Sequence, residues 1–348
     1  MKLKFIDLFA GIGGIRRGFQ NAAAQLGIST ECVYTCEIDK YACQTYSHNF
    51  PNDTHNPLND IRLLDEKKCP NFDILLAGFP CQAFSIAGKR GGFNDTRGTL
   101  FFDVARLIKE KQPKAFLLEN VKGLINHRSG KTLATILNVL INDLGYISTT
   151  YKVLNAKNFG VPQNRERIYI VGFKNGGGSF TFPVAENSGK TLKDIIERQA
   201  VSVKYYLSET YVSSMRKHKE RHLAKGNGFG YEIKSSDSIA NAIVCGGMGR
   251  ERNLLIDFRQ KDLTPVTNIK GRVNREGIRR MTPIEWERLQ GFPDNWTSCV
   301  TDSQRYKQLG NSVAIPVIQS ISKRILQEIL NPQPCKVKHV KQLEFDFS

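Results

Sequence analysis

The sequence contains no apolar run long enough to cross a bilayer, which excludes a membrane-spanning helix. It enters a strand pattern at once, with no basic and apolar leader, so a signal peptide is not expected. The eight cysteines, Cys32, Cys36, Cys43, Cys69, Cys81, Cys245, Cys299 and Cys335, form no CxxC pair. Their spacing does not suggest a zinc site, and reduced thiols in a cytoplasm are the simplest expectation. Acidic residues are in deficit: 33 Asp and Glu stand against 50 Lys and Arg, a formal net charge of +17. Such an excess implies a polyanionic partner, most simply nucleic acid. At 348 residues the chain accommodates one large and one smaller domain.

What is present centres on a short apolar run, Phe72 to Ala77, which reads as a buried strand. Gly78 and Pro80 end it in a tight turn, so Cys81 stands where a strand gives way to a loop. A thiol attacks only as the thiolate and needs an exposed, electropositive or hydrogen-bonded place. A buried structural cysteine is the plain alternative. The following loop, Ser85 to Thr99, interleaves Gly88, Gly91, Gly92 and Gly98 with Lys89, Arg90 and Arg97. That mixture suits a lid closing over a polyanion.

The rest alternates strands and helices. Lys4 to Phe9, the turn Ala10-Gly11-Ile12-Gly13-Gly14 and the helix Ile15 to Leu26 open a Rossmann-like unit. The turn departs from GxGxxG, which disfavours a dinucleotide and suits a cofactor with a carboxylate, such as S-adenosylmethionine. The strand Glu31 to Cys36 ends at Glu37-Ile38-Asp39, placing an acid for ribose hydroxyls and Ile38 for an adenine face. The strand Ala115 to Leu118 ends in Glu119-Asn120-Val121, at the same crevice as Cys81. Ligands of such sheets bind at the carboxyl ends of the strands, so Glu119 is placed to act as an acid. Helices are expected over Leu100 to Lys111 and Thr132 to Leu144, and strands over Ser148 to Val153 and Ile168 to Val171.

After a Gly-rich linker at Lys174 to Ser179 the alternation stops. A basic helix, Met215 to Lys225, carries Arg216, Lys217, Lys219 and Arg221; glycine turns and further cations follow. This suits a groove-binding module, with a generic basic β-domain as the alternative. Thr282, Pro283 and Glu285 then make a capped helix start, and a last helix runs to Leu330.

Taken in order, FIDLFAGIGG, GFPCQAFS with RGTLFFDVARLI, ENV, QNRER, MTPIEWERLQGFP and GNSVAIPV resemble the ordered motifs of the cytosine-5 DNA methyltransferases of bacterial restriction–modification systems. The resemblance covers nearly the whole chain. It implies a Rossmann-like S-adenosylmethionine-dependent methyltransferase fold with a smaller, mainly β target-recognition domain. The implied domains are a catalytic part at 1–179, target recognition at 180–280, a hinge helix at 281–303, a helix at 304–330 returning to the catalytic part, and a disordered tail at 331–348. Cys81 becomes the nucleophile, with Glu119, Arg165 and Arg167 on the base. Phe9, Gly11, Ile12, Gly13, Gly14, Glu37, Ile38, Asp60, Ile61, Pro80, Asn311 and Ser312 would hold the cofactor, although Asn59 replaces the family's glycine before Asp60. Lys89, Arg90, Arg97, Arg250, Glu251 and Arg252 would meet DNA, with Met248 a wedge for the flipped base's place. The partner is then duplex DNA; a cytoplasmic bacterial monomer needing no metal and no membrane is expected. An RNA cytosine methyltransferase and a catalytically silent binding module are the alternatives.

Lys204 through Arg280 resembles the members that methylate the inner cytosine of CCGG, with Ala242-Ile243 where many relatives carry Thr-Leu. The last residues, Gln342 to Phe347, resemble peptides that dock on bacterial sliding clamps; a frayed end is the plainer reading.

Overall fold

The computed structural model describes residues 2–80, 100–186, 188–228, 230–246, 250–266 and 269–334. In chain order the elements are β1 (Lys2–Leu8), α1 (Gly14–Gln25), β2 (Ser29–Cys36), α2 (Lys40–Asn49), β3 (Ile74–Gly78), α3 (Leu100–Lys111), β4 (Ala115–Val121), α4 (Lys131–Asn138), β5 (Thr150–Asn155), β6 (Gln163–Asn164), β7 (Glu166–Phe173), α5 (Glu209–Ala224), β8 (Ala240–Asn241), β9 (Leu255–Ile256), β10 (Ile278–Arg279), α6 (Pro283–Gln290), α7 (Asp302–Asn311) and α8 (Ile315–Leu330).

The apolar runs form the centre of a six-stranded sheet in the order β2-β1-β3-β4-β7-β5. Ile74 to Ala77 of β3 and Ala115 to Leu118 of β4 are fully buried, as strands covered on both faces must be. Each Leu or Ile so placed stabilises by about 1.5–3 kcal/mol. β1, β2, β3 and β4 run parallel, whereas β7 pairs antiparallel with β4. The flanking helices bury one face: α3 does so with Phe101, Val104, Ala105, Leu107 and Ile108. The helix expected from Thr132 to Leu144 divides into α4 and a π-helical turn, Val139–Asp143, closed by Leu144 N–H on Val139 O at 2.9 Å.

The chain forms two units: Met1–Leu154 with Glu166–Ala185 and Val317–Ser348, and Asn155–Arg165 with Glu186–Pro316. From Val317 on, α8 lies in the first unit, where Asn21 of α1 donates to Gln319, whereas residues 304–316 of the expected returning segment belong to the second unit. Three sequence boundaries move. Lys174 to Ser179 is not a linker, because Glu328 accepts from Gly177 N–H and from the Ser179 hydroxyl, which ties this stretch to α8. Residues 331–334 are not a free tail: Gln333 donates to Glu328, and its carbonyl accepts from Gly178 N–H. The segment 155–165 joins the second unit because the Gln163 amide donates to Leu289 O and accepts from Ile243 N–H. The second unit is also less β-rich than expected. Its strands β6, β8, β9 and β10 are two residues each, and three helices accompany them. Thr282 and Glu285 form the expected capping box on α6.

Candidate active site

Register decides what meets at the end of the sheet. Gly78 of β3 lies beside Glu119 of β4, and Arg167 at the start of antiparallel β7 lies beside Val121. The reversal of β7 therefore delivers a cation where β3 and β4 deliver their last residues. Arg167 Nε stands 3.2 Å from Glu119 Oε1, both side chains largely buried. A Cβ at Gly78 would lie 3.6 Å from Glu119 Oε2 and 3.2 Å from Ile15 Cδ1, so the bare backbone there leaves the carboxylate its space. Glu166, one residue earlier, faces the other way and pairs with Lys122 at 3.0 Å.

Asn120 fixes the exit of β3. Its amide donates to Phe79 O at 2.8 Å, while its own carbonyl accepts from Val121 N–H. Phe79 is buried against Phe101, and Pro80 beyond it is exposed. The chain is thus held up to the residue before Pro80-Cys81. Cys81, Lys89, Arg90, Arg97 and Met248 lie outside the described residues. Sequence reasoning quoted Asn120 only as part of a motif; its signal was an amide next to a strand-end acid.

At the carboxyl ends of β1 and β2 the glycine turn folds over Glu37. Phe9 and Gly11 adopt positive φ of 53° and 54°, and Gly13 one of 82°. A Cβ at Gly13 would fall 2.3 Å from Phe50, so conformation and space both demand glycine. At Gly11, by contrast, nothing lies within 4 Å of that position. Glu37 accepts from Gly11, Ile38 and Asp39 N–H groups, each at 2.8 Å. Beside it Ile38 is 68% exposed and Leu58 46% exposed. An acid, an open glycine and an exposed apolar pair fit the ribose and adenine of S-adenosylmethionine. Gly14 is buried at the start of α1. Ile12 and Ile61, expected at the cofactor, have their side chains in the core. Asp60 is gripped by Arg62 at 3.0 and 2.5 Å, and those hydrogen bonds hold its carboxyl below the usual range. Arg106 of α3 fixes the same segment by donating to Ile61 O and Leu64 O, a tie no local pattern announced.

The described cysteines of the first unit are structural. Burial pushes the thiols of Cys32 and Cys69 up to about 11 and those of Cys36 and Cys43 to about 12. Cys32, Asp53 and His55 lie close enough to share a cation. Arg16 already engages both oxygens of Asp53, and His55 Nε2 sits 2.7 Å from Thr35 Oγ1, so the group is an internal ion-pair network. Within it Asp7 is fully buried, and burial pushes its carboxyl up to about 8 against the pull of Arg16.

In the second unit Arg165 departs from its expected place on the base. It is buried, and its guanidinium donates to Ile243 O at 2.6 Å, Gly310 O at 3.2 Å and Ser312 O at 2.5 Å. Those three carbonyls make it a strut between the residues after β8 and the end of α7. Asn311 accepts from the Cys245 thiol at 2.7 Å. Arg250 and Arg252 are exposed, Arg250 lying 5.3 Å over the Tyr306 ring. Glu251 does not stand beside them as a base reader: it is 3% exposed, paired with Arg280 at 2.8 Å and accepting from the Tyr211 hydroxyl. Asn253 anchors the same turn to Asn241 of β8.

Among the described residues no helix is long and apolar enough to cross a membrane. Residues 3–327 match the family model of the C-5 cytosine-specific DNA methylases. The chain is 60% identical over 334 residues to the type II methyltransferase M.HpaII of Haemophilus parainfluenzae, covering 95% of this chain and 91% of that one. It is 44% identical over 331 residues to M1.ScrFI of Lactococcus lactis subsp. cremoris, covering 94% and 78%. Its fold is similar to that of the Entamoeba histolytica methyltransferase EhMeth, with a TM-score of 0.70 at 18% identity, covering 94% of this chain and 99% of that one. The S. pombe Dnmt2 methyltransferase is similar at the same TM-score, 0.70, and 23% identity, with 94% and 99% covered. The strand-end site, the glycine turn and these matches agree: the chain belongs to the C-5 cytosine-specific DNA methylases, enzymes that methylate carbon 5 of cytosine in DNA.

Proposed function

We propose that the chain methylates the inner cytosine of duplex CCGG with S-adenosylmethionine as donor, protecting that DNA from a cognate endonuclease, as a cytoplasmic monomer. The observation that carries the chemistry is the Glu119–Arg167 pair beside the exit of β3 toward Cys81. Carbon 5 of cytosine is too weak a nucleophile to attack a methyl group unaided. Cys81 adds as thiolate to carbon 6, and the electron pair of the 5,6 double bond moves to make carbon 5 an enamine carbon. Glu119 hydrogen-bonds ring nitrogen 3 and the amino group, and Arg167 the carbonyl oxygen, offsetting charge that develops on addition. S-adenosylmethionine, when bound, supplies an electrophilic methyl. Water as base takes the carbon 5 proton, the C–H electron pair re-forms the 5,6 double bond, and the carbon 6–sulfur bond breaks to release Cys81 as thiolate. A base stacked in a duplex is out of reach, so the cytosine is flipped out.

Gly11, Glu37 and Ile38 hold the cofactor in this reading. The second unit is the target-recognition unit. Arg250 and Arg252 are its candidates for forks on guanine in the major groove, and the reading of CCGG rests on the resemblance of Lys204 through Arg280. The test is plasmid methylation followed by a CCGG-cutting endonuclease blocked by inner-cytosine methylation. Protection is expected from the wild type and none from Cys81→Ser. DNA carrying 5-fluorocytosine should form a covalent adduct with the wild type. Absence of the adduct overturns the mechanism; methylation mapped to another sequence overturns only the CCGG assignment.

A further inference from the structure

The cations of α5 fall into two sets. Arg216 pairs with Glu276 at 2.5 Å, and Lys219 donates to Tyr231 O while lying over the Tyr231 ring. Lys217, Arg221 and Lys225 are exposed, and among the described residues none of them enters an ion pair. They are spaced four residues apart, Lys217 and Arg221 on α5 and Lys225 at its C-cap, so they form one row along the helix to its end. The nearest carboxylate of α5, Glu220, is exposed beside that row.

The N-terminal turn of α5 is tied to the turn carrying Arg250 and Arg252: Tyr211 donates to Glu251, and Arg280, paired with the same Glu251, lies over the Tyr211 ring. The row leads away from that anchor. At about 1.5 Å of rise per residue, its cations lie about 9, 15 and 21 Å along the axis from Tyr211. Its length of about 12 Å spans about three to four successive phosphates of one strand, at about 3.4 Å each.

We propose that Lys217, Arg221 and Lys225 form a phosphate-tracking row that grips duplex DNA flanking the recognition sequence. The inference rests on the second unit being the one that reads DNA. The partner follows from the chemistry: an unpaired row of like charge, rigidly spaced on a helix and anchored to the recognition turn, matches a periodic polyanion. Lys217→Ala, Arg221→Ala and Lys225→Ala leave the helix intact, since alanine favours it.

The test measures Kd by anisotropy against salt, for the wild type and the triple variant. It uses one duplex just covering the target and one extended by about two helical turns on each side. On the long duplex the slope of log K against log salt should be shallower by about 2.7 in the variant, about 0.9 for each lost phosphate contact. Between about 50 and 200 mM salt that is about 40-fold less loss of affinity than in the wild type. On the short duplex the two slopes should agree, and Arg221→Lys should retain the wild-type slope on both. Equal slopes on the long duplex, or an equal drop on both duplexes, overturn the proposal. If Arg250→Ala with Arg252→Ala leaves binding to the short duplex unchanged, it is the reading of the second unit that fails instead.

Discussion

The two units bury polar groups by different means. The first surrounds a six-stranded sheet with apolar side chains and keeps its reactive groups at strand ends, where Glu119 and Arg167 meet. The second has strands of two residues each, so little of its backbone is fixed by ladders. Buried polar side chains do that work. Arg279, with no exposure, joins Asp257 at 2.8 Å to both oxygens of Glu285 at 2.8 Å. Burial alone would raise the Asp257 carboxyl, but hydrogen bonds from Arg259 and Arg279 hold it well below the usual range. Glu287 accepts from Thr297 and Arg305, and Asn274 bridges Leu207 and Ile278. Apolar burial adds up over many residues, whereas a buried ion pair is favourable only while every partner is present. The second unit should therefore fail at single positions, and the first should tolerate change at its site.

The sharpest way to break that contrast is Arg279→Met. It leaves Glu285 buried without its cation and Asp257 with Arg259 alone, and should destabilise by about 3–5 kcal/mol in urea unfolding. A loss below about 1 kcal/mol would mean the second unit does not depend on its ion pairs. Glu119→Gln tests the other side: kcat should fall by about 10²–10³-fold with the unfolding midpoint unchanged. Asn120→Ala removes the donor to Phe79 O. It should lower kcat by about tenfold, the loss of one hydrogen bond of about 1.4 kcal/mol, with KM for DNA little changed. Asn120→Asp should not restore it, since a carboxylate cannot donate to that carbonyl.

A further test concerns the first unit's own buried acid. Asp7 has a folded pKa of about 8, above its unfolded value of 3.8, so the neutral form is favoured by folding. The stability it contributes is full below the unfolded value and is lost as pH rises through about 8. Thermal midpoints of the wild type should therefore decline across that window more than those of Asp7→Asn. Parallel profiles would show that Arg16 keeps Asp7 ionised.

The first unit was legible because its signals are local. Strand and helix periods and the glycine turn each report on residues a few positions apart. Arg165 was misplaced because its partners, Ile243, Gly310 and Ser312, lie 78 to 147 residues away. A motif containing two arginines says nothing of which one turns inward to carbonyls. Glu251 was misread for the same reason: exposure could be expected of a Glu between two arginines, but Arg280 and Tyr211 are brought to it by folding. The unit boundary moved from 179 to 185 because Phe180 packs on Phe173 of β7 and Phe182 on Phe180.

The chain passes between its units four times, after Leu154, Arg165, Ala185 and Pro316. Exchanging the second unit between relatives, as the proposed target-recognition role invites, therefore takes four cuts, not two. A graft of 186–280 alone would set foreign backbone against the native Gln163 amide and Arg165 guanidinium, which are fitted to Ile243. A transplant that carries 155–165 and 281–316 with it keeps those fittings, while Arg167, two residues past the cut, stays with the sheet and Glu119. The QNRER motif is thus divided between the two units, Arg165 going with one and Arg167 with the other.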